Sequence, residues 1–569
     1  MGSDQKNFLA VLALCAGVFF GGNYLIDKWR GPQVSSSEIQ NTPATQPSES
    51  TSTDFAASEA SLPDLPREEA LKAHPRITID TPKLRGSINL KGAQFDDLYL
   101  RTYRETTDPK SPEILLLSPQ QTSKSYRVFH SWMSRTRQAI SLPGEDTVWT
   151  ADRQTLTPQT PVTLSWDNGQ ALTFRQTISI DENYMFTVTH SVINKGSSPL
   201  HLGLQGMLTR VKPQNLEGNF ILYEGPLGAF DGTLKEVGYD TLQEKGPVTL
   251  DPITGWLGIT DKYWLVSFAP PGKIIPKFQS IAGDKPQVQV SYRTPFQVVE
   301  PHGTLTLESR VFSGAKVLAL LDGYEASASI KHFDLAVDFG WFYFLTKPIF
   351  YALTWLKGFT GNFGLAILLF TVLLKLLFFP LANRSYHAMA RMKKVQPMME
   401  QLRARYKDDP AKLNQEMMAF YKKEKINPVS GCLPMLLQIP AFFALYKVLF
   451  ISIEMRHAPF FGWIQDLAAP DPSNFFTLFG LISWTPPSFL HLGIWPVLMG
   501  LSMVLQQRLN PPPADPAQRV MFLYVMPVVF TFMLGQFASG LVIYWTWNNL
   551  LSVLQQWTIM RRDLSSPQK

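Results

Sequence analysis

The sequence predicts a multi-domain membrane protein: an N-terminal transmembrane anchor, an all-β domain outside the membrane, and an all-α core of five membrane-spanning helices. Three observations carry this. At 569 residues the chain is too long for one ordinary domain. Its mean hydropathy of −0.03 averages two populations, a polar stretch from about 31 to 335 and an apolar one from about 340 to 560. Within the apolar stretch Lys and Arg concentrate between Asn383 and Asn427, so the placement of the charge says more than its net +6, which is no nucleic-acid signature.

Residues 1–30 contain the apolar run Phe8 to Ile26, close to the length needed to span a bilayer, preceded by Lys6 and followed by Asp27, Lys28 and Arg30. No small-residue cleavage site follows, so an uncleaved anchor with a cytoplasmic N-terminus is expected. "LALC" at Leu12 to Cys15 departs from a lipoprotein box at Leu14, which leaves Cys15 as a buried cysteine. Cys432 is the other cysteine, so the soluble region can hold no disulfide framework or thiolate metal site. Residues 31–75 are rich in Ser, Thr, Pro, Glu and Ala and read as a flexible linker, too polar to offset the entropy of ordering.

Residues 76–335 alternate apolar and polar in short segments, "RITID", "VTLSW", "LTFRQTISI" and "YMFTVTHSVI", separated by Gly, Pro, Asn and Asp. That pattern predicts a sandwich-like β domain. No carboxylate pair or histidine cluster in it has a spacing that argues chemistry. Residues 338–360 are aromatic and punctuated by Lys347, Pro348 and Lys357, which suits an amphipathic helix at the membrane interface.

Spans are expected at 361–382 (its apolar part Phe363 to Ala382), and within 430–560 at Cys432 to Ile453, Leu490 to Gln507, Val520 to Phe537 and Leu541 to Met560. Residues 383–428 carry a dense block of Lys and Arg, whereas the loop from Glu454 to Leu490 has Arg456 alone. The positive-inside rule puts 383–428 and the short tail 561–569 in the cytoplasm and the β domain outside. Met392, Val395, Met399, Leu402 and Tyr406, then Leu413, Met417 and Phe420, recur at three- and four-residue spacings, with Asp409 placed to cap a helix at Pro410. This predicts a cytoplasmic helical hairpin. Its methionines either pack within it or stand exposed as adaptable contacts for incoming chains.

Lys375 lies about two turns, roughly 10 Å, from the expected cytoplasmic end of its span. A lysine at depth costs about 2.5–3.5 kcal/mol on the insertion scale, so it should face protein or a wet cavity. Thr371 shares its face. Trp545, Asn548, Ser552 and Gln555 line one face of the last span, Gln438 and Phe442 are four apart, as are Ser502 and Gln506, and Met499, Met503 and Met533 add flexible apolar surface. One such amide can be a plain interhelical hydrogen bond. Several stripes with one charge favour a hydrated groove. The expected span interiors after the β domain hold no Asp or Glu, and the sequence has no GxxxxGK[ST] and no HExxH. An ion relay, an ATP engine, a metalloprotease and any resident cofactor are therefore not expected, and the chain reads as a non-enzyme.

Three segments resemble the YidC/Oxa1/Alb3 membrane protein insertases in their Gram-negative form: "NPVSGCLPMLLQIPAFFALYKVL" from Asn427, "RHAPFFGWIQDLAAPDP" from Arg456 and "ASGLVIYWTWNNLLSVLQQ" from Ala538. The resemblance implies a periplasmic supersandwich domain and a groove open to the cytoplasm and lipid but closed to the periplasm. It also implies an insertase and chaperone for inner-membrane proteins, acting alone or with the Sec translocon. Lys375 falls where a positive groove residue, usually Arg, is expected. Thr371, Gln438, Phe442, Met499, Met503, Gln506, Met533, Trp545 and Asn548 fall at groove positions. Implied partners are nascent inner-membrane proteins, the Sec translocon, the ribosome and signal recognition machinery, and membrane lipids, with no specific nucleic acid. Extra sequence around "LFGLISWTPPSFLHLGI" and the short tail "RRDLSSPQK" depart from the pattern. Two other classes stay open from the residues alone: a small-anion transporter, and a membrane-anchored periplasmic carbohydrate-binding protein.

Overall fold

The computed structural model describes residues 64–135, 140–214, 222–340, 343–406, 409–424, 433–482, 484, 486–487, 492–511 and 516–565. The anchor expected over 1–30, the linker up to 63 and the last four residues of the tail lie outside this set. The chain divides into two compact units, Met1–Trp341 and Phe342–Lys569.

Among the described residues the first unit has twenty strands, nearly all antiparallel. The long ones here are β1 (Tyr126–Ser134), β2 (Leu172–Ile180), β3 (Met185–Asn194), β4 (Leu200–Val211), β5 (Gln287–Arg293) and β6 (Thr304–Ala315). One layer runs β1–β4–β5, with Trp132 opposite Leu204 and Val290 opposite Leu208. The other runs β2–β3–β6, with Val188 opposite both Ile178 and Ser309. A two-residue pairing, Ile253 with Ile274, joins them at one edge. The segments read as strands are strands, and β2 and β3 alternate buried and less buried side chains with period two. Between the layers Trp132 meets Phe174 at 5.8 Å and Phe95 meets Phe186 edge-on at 5.2 Å.

Two features depart from expectation. Within the stretch read as linker, helix α1 (Arg67–Lys72) follows Pro66, with Glu68 and Glu69 in its first turn and Lys72 in its last, matching the helix dipole. It is held to the β layer by an Arg67–Asp97 ion pair and by Leu65 N–H donating to Gln121 O at 2.9 Å. The second departure is a pair of buried histidines. His130 of β1 and His190 of β3 face each other across the layers with ring centroids 4.6 Å apart. His130 Nε2 is 2.9 Å from Ser309 Oγ, and neither ring nitrogen of His190 has a hydrogen-bond partner. Burial pushes the His130 pKa down to about 3, and burial with the neighbouring His130 holds that of His190 well below its usual value. The unit also contains α2 (Tyr239–Lys245) and α3 (Leu318–Ala328).

The second unit is helical: α4 (Tyr343–Thr360), α5 (Phe363–Leu377), α6 (Phe379–Arg405), α7 (Pro410–Lys423), α8 (Leu433–Ile451), α9 (Ile494–Leu509), α10 (Pro516–Val520), α11 (Met526–Leu534) and α12 (Ser539–Ser565). A π-turn over Met521–Val525 joins α10 to α11, so 517–534 forms one apolar rod of 18 residues, long enough alone to cross a bilayer. Helices α4 and α5 meet at 118°, with Gly361 in the left-handed region at the corner and the Asn362 side chain capping α5 at Leu365 N–H. An α5 upright in a bilayer leaves α4 lying along its surface, with Trp355 and Phe359 exposed on one side.

The span expected to reach Ala382 stops at Leu377. Pro380 has no N–H to continue the ladder and its ring would clash with the carbonyl four residues back, so Phe378 breaks the helix and α6 starts afresh with Pro380 in its first turn. In the hairpin, Asp409 accepts from Lys412 N–H at 3.0 Å and starts α7 at Pro410. Met399, Met417 and Phe420 form a buried cluster with Val395, Leu402 and Leu413 around them. The seam therefore packs the two helices on each other, and Met399 and Met417 are not exposed contacts.

Candidate functional site

Lys375 lies in the last turn of α5, two residues before its end, and not two turns inside. A cation there is favoured by the C-terminal end of the helix dipole. Its Nζ reaches across to α12 and donates to Ser552 Oγ at 2.6 Å, and that hydroxyl donates to Asn548 O at 2.8 Å. Tyr386 of α6 lies against the same serine. The lysine is thus tied to protein rather than stretched toward water along its own helix. One turn from Ser552 on α12, Asn548 is buried, and its amide nitrogen has no acceptor among the protein atoms; the Gln555 amide nitrogen, one turn the other way, is in the same condition. Buried donors of this kind need water or a ligand. Lys375, Ser552, Asn548 and Gln555 make a polar strip where α5, α6 and α12 meet.

Thr371 is not part of this strip. Its hydroxyl donates back to Ile367 O at 2.7 Å and the residue is buried in the wall of α5. Trp547, which the stripe argument passed over, fastens the same wall: its Nε1 donates to Leu368 O at 3.2 Å.

The aromatic and methionine positions gather elsewhere on α12. Phe442 of α8 meets Trp545 edge-on at 4.7 Å. Trp545 and Met503 pack against the cluster of Met499, Leu534 and Val542, with Phe530 beside them. Phe442, Met499, Met503 and Trp545 are therefore one apolar lobe. Met533 stands outside it on α11, half exposed, while Gln438 and Gln506 are part-exposed on α8 and α9. Sequence reasoning also missed Lys447, the lysine within the apolar helix α8, which is buried. Its place in "FFALYKVLF" was the available signal.

Interhelical hydrogen bonds fix this frame. Asn549 donates to Ser502 Oγ at 3.0 Å and Gln556 to Asn510 Oδ1 at 3.1 Å, joining α12 to α9 and its end. Gly500 of α9 lets α11 approach closely, since a Cβ there would sit 2.1 Å from Thr531 Oγ1.

A loop closes the other end of the unit. Asp471, fully buried, accepts Trp463 Nε1 at 2.9 Å, Ser473 N–H at 3.0 Å and Ser473 Oγ at 2.6 Å on one oxygen, and Trp495 N–H in the first turn of α9 at 2.9 Å on the other. The same loop takes Ser539 N–H on Ala469 O at 2.7 Å and Gly540 N–H on Leu467 O at 3.0 Å from the start of α12. The amide of Asn362, at the start of α5, donates to Pro459 O at 3.1 Å and Phe460 O at 3.3 Å. Three helix N-termini are thus tied to one loop, while the strip lies away from it, with Lys375 in the last turn of α5 and Ser552 midway along α12.

Family comparison decides what this frame belongs to. The model for the YidC periplasmic domain matches residues 76–352 and that for the 60Kd inner membrane protein matches 355–566. The membrane protein insertase YidC of Brucella suis is 51% identical over 506 residues, covering 88% of this chain and 82% of its own. That of a Methylobacterium strain is 46% identical over 606 residues, covering 99% and 96%. The chain belongs to the YidC membrane protein insertase family. A solved structure described as an active YidC insertase with its first transmembrane domain resolved aligns at 18% identity with a TM-score of 0.37, over 85% of this chain and 92% of that one. YidC relatives are inner-membrane proteins with a periplasmic domain, and the β unit is that domain. Family membership removes the transporter and carbohydrate-binding alternatives.

Proposed function

We propose that this chain inserts and helps to fold inner-membrane proteins, alone or with the Sec translocon, through the polar strip around Lys375. The carrying observation is the strip itself: a lysine held by Ser552 beside buried amide donors without protein acceptors. The β domain is periplasmic, both termini are cytoplasmic, and a nascent chain first meets the basic α6–α7 hairpin. Its short hydrophilic end then enters the strip, where Asn548 and Gln555 supply donors and Lys375 attracts acidic residues. A membrane potential positive outside adds about 2.3 kcal/mol per negative charge per 100 mV. The main drive is the client's own helix, at about −0.3 to −0.6 kcal/mol for each Leu, Ile, Phe or Val. The apolar lobe of Phe442, Met499, Met503 and Trp545 offers that helix an adaptable surface before it leaves between α5 and α8 into lipid. No step calls for a nucleotide or cofactor.

Reconstitution in liposomes with a single-span client carrying an acidic N-terminal tail tests this. Wild type and Lys375→Arg should insert it, and Lys375→Glu should lose insertion of that client while keeping that of one with an uncharged tail. Equal insertion of both clients by Lys375→Glu overturns the charge role. No insertion above empty liposomes by the folded wild type overturns the function.

A further inference from the structure

The outer loop holds a segment that the insertase reading does not use. Between Asp471 and Arg508 the chain has no Asp, Glu, Lys or Arg. Within it, a 3-10 turn over Phe475–Gly480 is capped by Asn474, whose side chain accepts from Phe476 N–H at 3.0 Å, and is closed by Ile482 N–H donating to Thr477 O at 3.0 Å. The turn is therefore held by its own hydrogen bonds, yet the apolar side chains described in and beside it are exposed. Leu481 is 85% exposed, and Phe476, Leu478, Ile482 and Trp484 are each about 39–49% exposed. Leu478 takes a left-handed backbone, φ 45°, where Asn or Gly would serve a turn in water at lower cost.

The depth of this turn is set by the helix beside it. Phe475 N–H donates to Leu492 O at 2.8 Å, Ser473 Oγ accepts from Ile494 N–H at 2.9 Å, and Asp471 caps the same first turn of α9. Helix α9 presents Leu498, Leu501 and Leu505 outward at helical spacing, the face of a span toward lipid. A turn hydrogen-bonded to the outer end of that span lies at the level where headgroups meet acyl chains. An uncharged, aromatic, Trp-bearing surface suits that layer.

We propose that the turn Phe475–Ile482, with Trp484, is a membrane-surface anchor that inserts Leu481, Ile482 and Trp484 into the outer leaflet of the phospholipid bilayer. The inference rests on α9 being a span, as the insertase reading requires. Its effect is to hold at fixed depth the outer end of the helix that carries Met499, Met503 and Gln506.

Site-directed spin labelling of the full chain in phosphatidylcholine–phosphatidylglycerol liposomes tests it, in a Cys15→Ser, Cys432→Ser background. Nitroxides go one at a time on Leu481→Cys and Ile482→Cys, with Leu501→Cys of α9 as the deep reference and Val298→Cys of the β domain as the aqueous one. Collision rates with oxygen and with a water-soluble nickel chelate are compared. Both loop labels should favour oxygen several-fold over the chelate relative to Val298→Cys, at a depth shallower than Leu501→Cys. Chelate access equal to that at Val298→Cys, with Leu501→Cys deep, overturns the anchor and leaves the span. Low collision with both reagents shows a protein covering and also overturns it. Chelate access at Leu501→Cys removes the span and the anchor with it.

Discussion

The buried histidine pair makes the β domain sensitive to acid in a way that can be worked through. His130 and His190 face one another, with Ser309, Phe268 and, through Ser309, Tyr292 around them, and no carboxylate among these contacts to favour a charged ring. Both rings are therefore neutral in the folded domain, while an unfolded histidine titrates near 6.5. Above that value neither state takes a proton and the pair costs nothing in charge. Below it the unfolded chain binds protons that the folded one refuses, so stability falls as pH falls, by about 1.4 kcal/mol per pH unit per histidine, until the folded pKa is approached. At pH 5 this amounts to about 2 kcal/mol for each ring and about 4 kcal/mol for the pair. The perturbation is His190→Leu, which removes one titrating ring and two buried nitrogens without partners. It should leave the domain at least as stable at pH 7.5, since an unsatisfied buried group costs about 1–3 kcal/mol. It should also halve the loss between pH 7.5 and 5. Urea midpoints of the full chain in detergent, read by pulsed deuterium exchange over β1 and β3, measure both. Carboxylates titrate alike in the two proteins, so the difference isolates the ring. Identical pH dependence in wild type and variant would refute the reasoning.

Three further outcomes are expected. Asp471→Asn turns an amide toward donors that now face a carboxylate oxygen, so it should cost about 1–3 kcal/mol and lower the thermal midpoint of the detergent-solubilised protein. Gly500→Val drives its Cβ into Thr531 and should cost about 1–3 kcal/mol by overpacking, read in the same thermal scan, with Gly500→Ala intermediate. Ser552→Ala removes the hydroxyl that holds Lys375 but leaves the charge, so liposome insertion of an acidic-tailed client should stay within a few-fold of wild type; a loss as deep as that of Lys375→Glu would show that the tether, not the charge, matters.

Much of the fold was legible because periodicity reports burial directly. The alternation in "LTFRQTISI" and "YMFTVTHSVI" gave β2 and β3, and Asp409 followed by Pro410 gave the start of α7. The end of α5 was misjudged because Phe379 to Ala382 are apolar, although Pro380 was the stop signal in plain view. Helix α1 was missed because its hold on the domain is a distant pair, Arg67 with Asp97, which no local pattern shows. The same limit applies to the site. Lys375 announced itself as a charge among apolar neighbours, but its partner Ser552 is far along the chain, and whether Thr371 faced the strip or its own backbone depended on a rotamer. The histidine pair joins two strands that the sequence places sixty residues apart, so their meeting was invisible.

The loop around Asp471 also has a mechanical consequence. It ties the first turns of α5, α9 and α12 by backbone and buried-carboxylate hydrogen bonds, whereas the far end of α9 meets α12 through the side-chain bond of Gln556 to Asn510. A rod held through its backbone at one end and through a side chain at the other pivots about the first. Helix α9, with 16 residues, is about 24 Å long, so a tilt of about 10° about its pinned end moves the far end by about 4 Å while the first turn barely shifts. That is close to the width of one side chain. Small angular play about the tied first turn thus becomes several ångströms of displacement at the far end, while the loop's hydrogen bonds stay made.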